Sequence, residues 1–197
     1  MCTGKCSKFI GISLYPLAVV SIIANILLFF PDFQVIYSQE QAEGQYRLTD
    51  EIKYMGGVLG GGVLVLIPAI HIHSTGNHGC CANRCGMFLS IIFAAIGAVG
   101  ALYSGVIAVV ALIKGPVCML ENGTWCRPFV NSTENIYFED SDYWDICEEP
   151  KDIVVFNLGL FSILALAACL ELLLCGFQMF NGLFGCICGT CRNKEVA

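Results

Sequence analysis

The residues best able to do chemistry in this chain are its cysteines, a pair of glycosylation sequons and one acid set inside an apolar run. Asn122-Gly-Thr124 and Asn131-Ser-Thr133 fit the acceptor pattern for N-linked sugar, which marks a lumenal or extracellular loop. Both lie in residues 114–152, which also hold Cys118, Cys126 and Cys147 and carry nine acids against three bases. Spaced cysteines beside clustered sequons read as a segment exported into an oxidising space, where disulfides persist. Three cysteines allow at most one bond among themselves, and spacing alone leaves its partners open.

A second set of cysteines has a different setting. Cys2, Cys6, Cys80, Cys81, Cys85, Cys186, Cys188 and Cys191 border apolar runs on the face opposite the sequons. Juxtamembrane cysteines of this kind are ordinary sites of S-palmitoylation, which would pin the short segments to the inner leaflet. With His71, His73 and His78 nearby, zinc is a rival reading. The spacing lacks the paired C-x2-C framework of a zinc site, however, and acylation is favoured over both zinc and unmodified thiols. Cys169 and Cys175 lie within the last apolar run.

The elements that must position these groups are apolar. Of 197 residues, 56% are hydrophobic and 13% charged, where a soluble domain carries about 25% charge. Mean hydropathy is +0.72, more apolar surface than a soluble fold can hide. The net charge of −6 comes from the polar loops, and no basic tract or finger spacing points to nucleic acid. Residues 9–30 carry no charge and are long enough as a helix to cross a hydrocarbon core of about 30 Å. Lys5 and Lys8 before it favour a cytoplasmic N-terminus. The run exceeds a signal-peptide core, and bulky Phe29-Phe30-Pro31 follow it, so it reads as a retained helix that Pro16 can kink.

Three more spans follow, at 54–73, 87–113 and 153–180, joined by a polar link at 31–53 and a tight turn at 74–86. Gly57 and Gly61 stand four apart in the second span, as do Gly56 and Gly60, and Gly97, Ala101 and Gly105 repeat that spacing in the third. Small residues at this spacing let membrane helices approach closely, so the two stripes are natural counterparts. Four crossings put the ends, 1–8 and 181–197, on one side, taken as cytoplasmic. Lys and Arg divide evenly between the two sides, so the sequons carry the orientation.

Glu171 is the one acid within a span, and intramembrane ionisable groups are functional suspects. Counting down the fourth helix places it about 27 Å from the outer end. His71 on the second span and Ser13 on the first match that depth and are the expected hydrogen-bond partners. Nearer the outer leaflet, Asn25 and Asn157 are expected to bond across the first and fourth helices. Such contacts average under about 1 kcal/mol, so they specify packing more than stability. Neither catalytic motifs nor transporter repeats or broken-helix pairs occur, and an enzyme, channel or transporter is not indicated.

In order along the chain, MCTGKC, ANILLFFP, GGVLGGG, CCANRC, KGPVCMLENGTW, WDICEEP, LFSILA and LELLLCGFQMFNG-LFGCICGTC resemble the four-span L-six family of tetraspanin-like surface antigens. The resemblance runs from Met1 to about Arg192. Tetraspanins proper carry Cys-Cys-Gly in the large outer loop, whereas Cys80-Cys81 sit here in the inner turn. The resemblance implies an all-α integral membrane protein, a four-helix bundle with a small disulfide-closed extracellular cap. It places a disulfide between Cys118, after Lys-Gly-Pro, and Cys147, before Glu-Glu-Pro, worth about 3–4 kcal/mol for a loop of this length. Cys126 departs from the family pattern: a free thiol, a bridge between molecules and competition for pairing all stay open.

The resemblance also implies a non-enzymatic plasma-membrane adaptor without cofactors, influencing adhesion, migration or growth through membrane partners such as integrins or growth-factor receptors. An endolysosomal location is the alternative compartment, and homo-oligomerisation stays open. The rival function is a receptor for a sterol or other small molecule. Its cavity would lie between the helices near Glu171 and Asn25, as likeness to tetraspanins permits.

Overall fold

A computed structural model of the chain describes residues 3–31, 48–75, 84–130, 144 and 146–188. The long helices are α1 (Thr3–Leu28), α3 (Leu64–Thr75), α4 (Arg84–Lys114) and α5 (Ile153–Cys188). A short α2 (Asp50–Lys53) precedes a π-helical segment, Gly56–Val63, that runs directly into α3. Together these give four helices long and apolar enough to cross a membrane. They are apolar on every face: Val99, Leu166 and Phe180 point outward, each about two-thirds exposed. In water such surfaces would aggregate; in hydrocarbon they are the solvated side. The chain is an integral membrane protein.

The helices pack as a ring, with α1 against α3 and α5, and α4 against the same two. Leu28, Ile52, Ala111 and Phe161 share one apolar cluster at the end of the bundle that carries the cap. A second cluster, including Leu14, Val65, Ile72 and Cys175, fills the middle and the far half. Small residues set the separation of α4 and α5. A Cβ on Gly97 would come within 2.9 Å of Cys175 Sγ, on Gly105 within 3.4 Å of the Ala168 Cβ, and on Gly182 within 2.7 Å of Ile91. The pairing descends α4 as it ascends α5, so the two run antiparallel over their length. Close approach replaces side-chain volume where lipid supplies no hydrophobic drive.

The glycines of the second span divide between two neighbours. Gly57 lies against Ser21 and Asn25 of α1, whereas Gly60 meets the carbonyl of Gly100 on α4 at 2.6 Å from its would-be Cβ. The stripe Gly97, Ala101 and Gly105 is therefore not the counterpart of this face. Gly97 and Gly105 have their nearest neighbours on α5, Gly97 touching Pro68 of α3 as well, and Gly100, about 60° round the helix from Gly97, meets Gly60 instead. The π-helical winding was not anticipated by spacing. Met55, with φ +50°, breaks the chain just before it, so Tyr54 and Met55 stand outside the second span.

The fourth helix also runs past the expected end at 180. Gly182 and Gly185 do not turn the chain; they lie against Met87 and Ile91 of α4, so burial continues and the helix with it. At the other end of the bundle, β1 (Cys118–Met119) pairs antiparallel with β2 (Trp125–Cys126). Gly123, with φ +73°, makes the turn that a side chain would strain. On the free edge of β1, Met119 exchanges backbone hydrogen bonds with Glu148 and Glu149, both at 2.9 Å. The Cys118–Cys147 disulfide joins these edges and closes the cap.

Candidate functional site

Polar side chains tie the bundle at three levels. At the middle, Glu171 of α5 is wholly buried and its Oε1 accepts a hydrogen bond from Ser21 Oγ of α1 at 3.3 Å. Gly61 makes the room: a Cβ there would lie 2.9 Å from Ser21 Oγ and 3.2 Å from Glu171 Oε2. Neither expected partner meets the acid. His71 instead stacks on Phe93, ring centroids 4.4 Å apart. Counting from the outer end misplaced Glu171 because α5, at 36 residues, outruns α1, at 26. The side chain also tilts toward its helix N-terminus, which raises the carboxyl toward the cap.

One turn nearer the cap, Asn25 Oδ1 accepts from the backbone N–H of Val58 at 3.2 Å. The opening N–H groups of a helix lack intrahelical partners, and Asn25 supplies one from a neighbouring helix. The expected Asn25–Asn157 bond does not form. Asn157 Nδ2 donates to the carbonyl of Ile153 one turn back on its own helix, at 3.1 Å, a local bond that competes with any reach across.

The far end holds a network that sequence reading missed. Gln178 Nε2 donates to Ser7 Oγ at 2.7 Å and to Ser90 Oγ at 3.0 Å, and Ser7 Oγ lies 3.0 Å from Thr75 Oγ1. Thr75 donates to the carbonyl of Ile72 and Ser90 to that of Met87, each at 2.7 Å. Their protons thus committed, Ser7 donates to Thr75, and both serines can accept from Gln178. Asn181 donates to Gln178 Oε1 at 3.3 Å. Ser7, Thr75, Ser90 and Gln178 come from α1, α3, α4 and α5, so one amide joins all four helices. The signal was present: a neutral amide in an apolar run is as conspicuous as an acid.

The cap is braced by charge. Glu51 of α2, 4% exposed, receives Arg127 Nη2 on Oε2 at 2.6 Å, Arg127 Nη1 on Oε1 at 3.2 Å and Lys114 Nζ on Oε1 at 3.0 Å. Burial pushes its carboxyl up, but the hydrogen bonds from Arg127 and Lys114 outweigh it and hold the group at about 2. Thr49 Oγ1 accepts from Val117 N at 3.4 Å. Gly115, with φ +70°, turns the chain off α4 beneath Phe129.

Among the modification candidates, Asn122 is exposed at the hairpin tip, its Oδ1 accepting from Thr124 N at 3.1 Å and Thr124 Oγ1 at 2.6 Å. Asn131 lies outside the described residues. Cys6 and Cys85 are exposed and Cys186 half-buried at the far end. Cys2, Cys80, Cys81 and Cys191 lie outside the described residues, as does the side chain of Cys188. Among the described residues no group of three or more His, Cys, Asp or Glu is placed to hold a metal ion. An apolar groove of about 380 Å³ runs along α4 and α5, lined by residues including Ala101, Gly105, Ala165, Ala168, Cys169 and Leu172. Glu171 and Asn25 do not line it; they face inward, toward α1 and the π-helical segment.

A family model described as L6 membrane protein matches residues 1–192. Transmembrane 4 L6 family member 4 of Mus musculus is 44% identical over 200 residues, covering 98% of this chain and 95% of that protein. Transmembrane 4 L6 family member 5 of Bos taurus is 41% identical over 200 residues, covering 99% and 98%. Transmembrane 4 L6 family member 1 of Homo sapiens is 40% identical over 203 residues, covering 99% and 98%. No solved structure matches the chain.

Proposed function

The chain belongs to the L6 membrane protein family, and from that premise we propose that it is a non-enzymatic membrane organiser acting at the plasma membrane. In this reading the cap faces the exterior, bears sugar on Asn122 and Asn131, and meets membrane partners of the integrin or growth-factor-receptor kind. Residues 114–152 then form the extracellular loop, and the ends, 1–8 and 181–197, lie in the cytoplasm. Palmitate on some of Cys2, Cys6, Cys80, Cys81, Cys85, Cys186, Cys188 and Cys191 sets the lipid surroundings.

The bracing of the cap carries the reading. The Arg127–Glu51–Lys114 cluster and the Cys118–Cys147 disulfide fasten the hairpin to the bundle end. A fastened surface loses little conformational entropy on meeting a partner, which is how preorganisation raises affinity. The bundle's buried polar side chains, by contrast, turn inward, and the cap offers a polar face for recognition.

The test is co-precipitation of a chosen integrin from cells in mild detergent. The full chain is compared with one whose residues 118–147 are replaced by a flexible linker of equal length. Loss of the integrin with the linker chain supports the reading, provided that chain reaches the surface; equal recovery from both rejects cap-mediated partnering. Replacing Cys80, Cys81 and Cys85 together by serine changes lateral distribution if acylation operates. An unchanged distribution with no thioester-linked chain rejects that part.

The α4–α5 groove favours a second reading, a lipid or sterol receptor, at a place different from the interior near Glu171. A photoreactive sterol that labels α4 or α5 beside Cys169, and is displaced by unlabelled sterol, supports it. Labelling spread evenly over the lipid-facing surface counts against it.

A further inference from the structure

We propose that the cap carries an exchangeable disulfide, in which Cys126 is placed to take Cys118 from Cys147. The register of the hairpin sets Cys126 directly opposite Cys118. Leu120 N donates to Thr124 O at 3.1 Å, which makes the pair two residues back, Cys118 and Cys126, a hydrogen-bonded pair by the alternation of an antiparallel ladder. Such pairs hold their Cα atoms about 5.5 Å apart with both side chains on one face. Disulfides span Cα separations of about 4.4–6.8 Å. The existing bond, Cys118 to Cys147, has its Cα atoms at 5.5 Å. Cys118 therefore faces two cysteines whose Cα atoms lie within the span of a disulfide, and one of them is a thiol.

Access favours the same exchange. Cys118 is fully buried, whereas Cys126 is a half-buried free thiol. The incoming sulfur thus approaches from within the hairpin, where no external thiol can readily follow. The step balances without a redox partner. The Cys126 thiol gives its proton to solvent, and its thiolate attacks Cys118 Sγ. The Cys118–Cys147 bond breaks with its electron pair on Cys147, which takes up a proton. One disulfide and one thiol exist before and after.

The two isomers differ in what they hold. Bonded to Cys147, Cys118 ties residues 29 apart in sequence and clamps the hairpin to the segment that enters α5. Bonded to Cys126, it staples the hairpin alone. The edge at Glu148 and Glu149 is then left with its backbone bonds to Met119. Exchange thereby loosens the cap from α5 without reducing it, whichever partner the cap meets.

The experiment uses the full chain in lipid nanodiscs at pH 8 under argon, where thiols are partly ionised. Samples are quenched with acid over several hours, alkylated, reduced and alkylated again with a heavy reagent, and the peptides are read by mass spectrometry. Exchange places the first label on Cys147 in a fraction that grows with time, matched by a Cys118–Cys126 linked peptide in the unreduced digest. Cys126→Ser abolishes the first label on Cys147. In a Cys147→Ser chain given glutathione disulfide, Cys118 and Cys126 lose their reactivity together. A first label confined to Cys126 at every time, with no Cys118–Cys126 peptide, overturns the proposal. So does a first label on Cys147 that survives Cys126→Ser.

Discussion

Arg127 grips Glu51 with both terminal guanidinium nitrogens, at 2.6 and 3.2 Å, across 76 residues of chain. The pair fastens the start of the second span to the hairpin beyond the third. Because Glu51 is held at about 2 against an ordinary value of 4.5, the unfolded chain binds a proton there before the folded one does. The stabilisation is therefore complete above pH 4.5 and is lost as pH falls from 4.5 through about 2. Thermal unfolding in detergent should show that loss. Arg127→Ala should cost about 2–3 kcal/mol at neutral pH and flatten the profile. A variant whose acid profile matches the parent would sink this assignment.

Gln178→Leu removes an amide that serves two serines and keeps the side-chain volume. Loss of these interhelical bonds should cost about 1–2 kcal/mol, given that such bonds are individually modest in membranes. Unfolding by titration with a denaturing detergent measures it. Ser7→Ala in the Gln178→Leu background should then cost less than Ser7→Ala alone, since the pair is already broken.

Glycine substitutions should divide sharply by position. An Ala Cβ at Gly57 would lie 2.6 Å from the Ser21 carbonyl and 2.7 Å from the Asn25 Cβ, so backbone must move. A cost of about 1–3 kcal/mol is expected, together with weaker packing of α1. At Gly159 nothing lies within 4 Å of the added carbon, and Gly159→Ala should be neutral or stabilise α5 by up to about 1 kcal/mol. Equal effects at the two sites would contradict the packing described.

Asn122→Gln and Thr124→Ala should each raise mobility on a denaturing gel by the same single step, and glycosidase treatment should erase the difference from the parent. The Asx turn exposes the Asn122 amide at a hairpin tip, where an oligosaccharide meets no obstruction. A parent chain from mammalian cells that does not shift with glycosidase would place the cap away from the glycosylation machinery and reverse the proposed orientation.

The four spans and their apolar character were legible in residues 9–30, 54–73, 87–113 and 153–180. In hydrocarbon a spanning helix satisfies nearly all of its backbone polar groups within its own segment, and local sequence dictates that. The Cys118–Cys147 bond was legible only through family resemblance, since spacing cannot choose among three cysteines. The partners of Glu171 and Asn25 were not legible. They depend on how far α5 outruns α1 and on the Val58 N–H at the start of the π-helical segment, neither of which a count along one helix can supply.

The same division runs through the rest of the molecule. Composition and hydrophobic length committed the chain to a membrane bundle, because transfer of these runs from water is favourable wherever they end up. Tertiary structure alone decided that Gly100 rather than Gly97 meets Gly60, that Gln178 gathers four helices, and that Glu51 finds Arg127. Those are contacts between distant segments, and their geometry exists only once the helices have chosen their tilt and register.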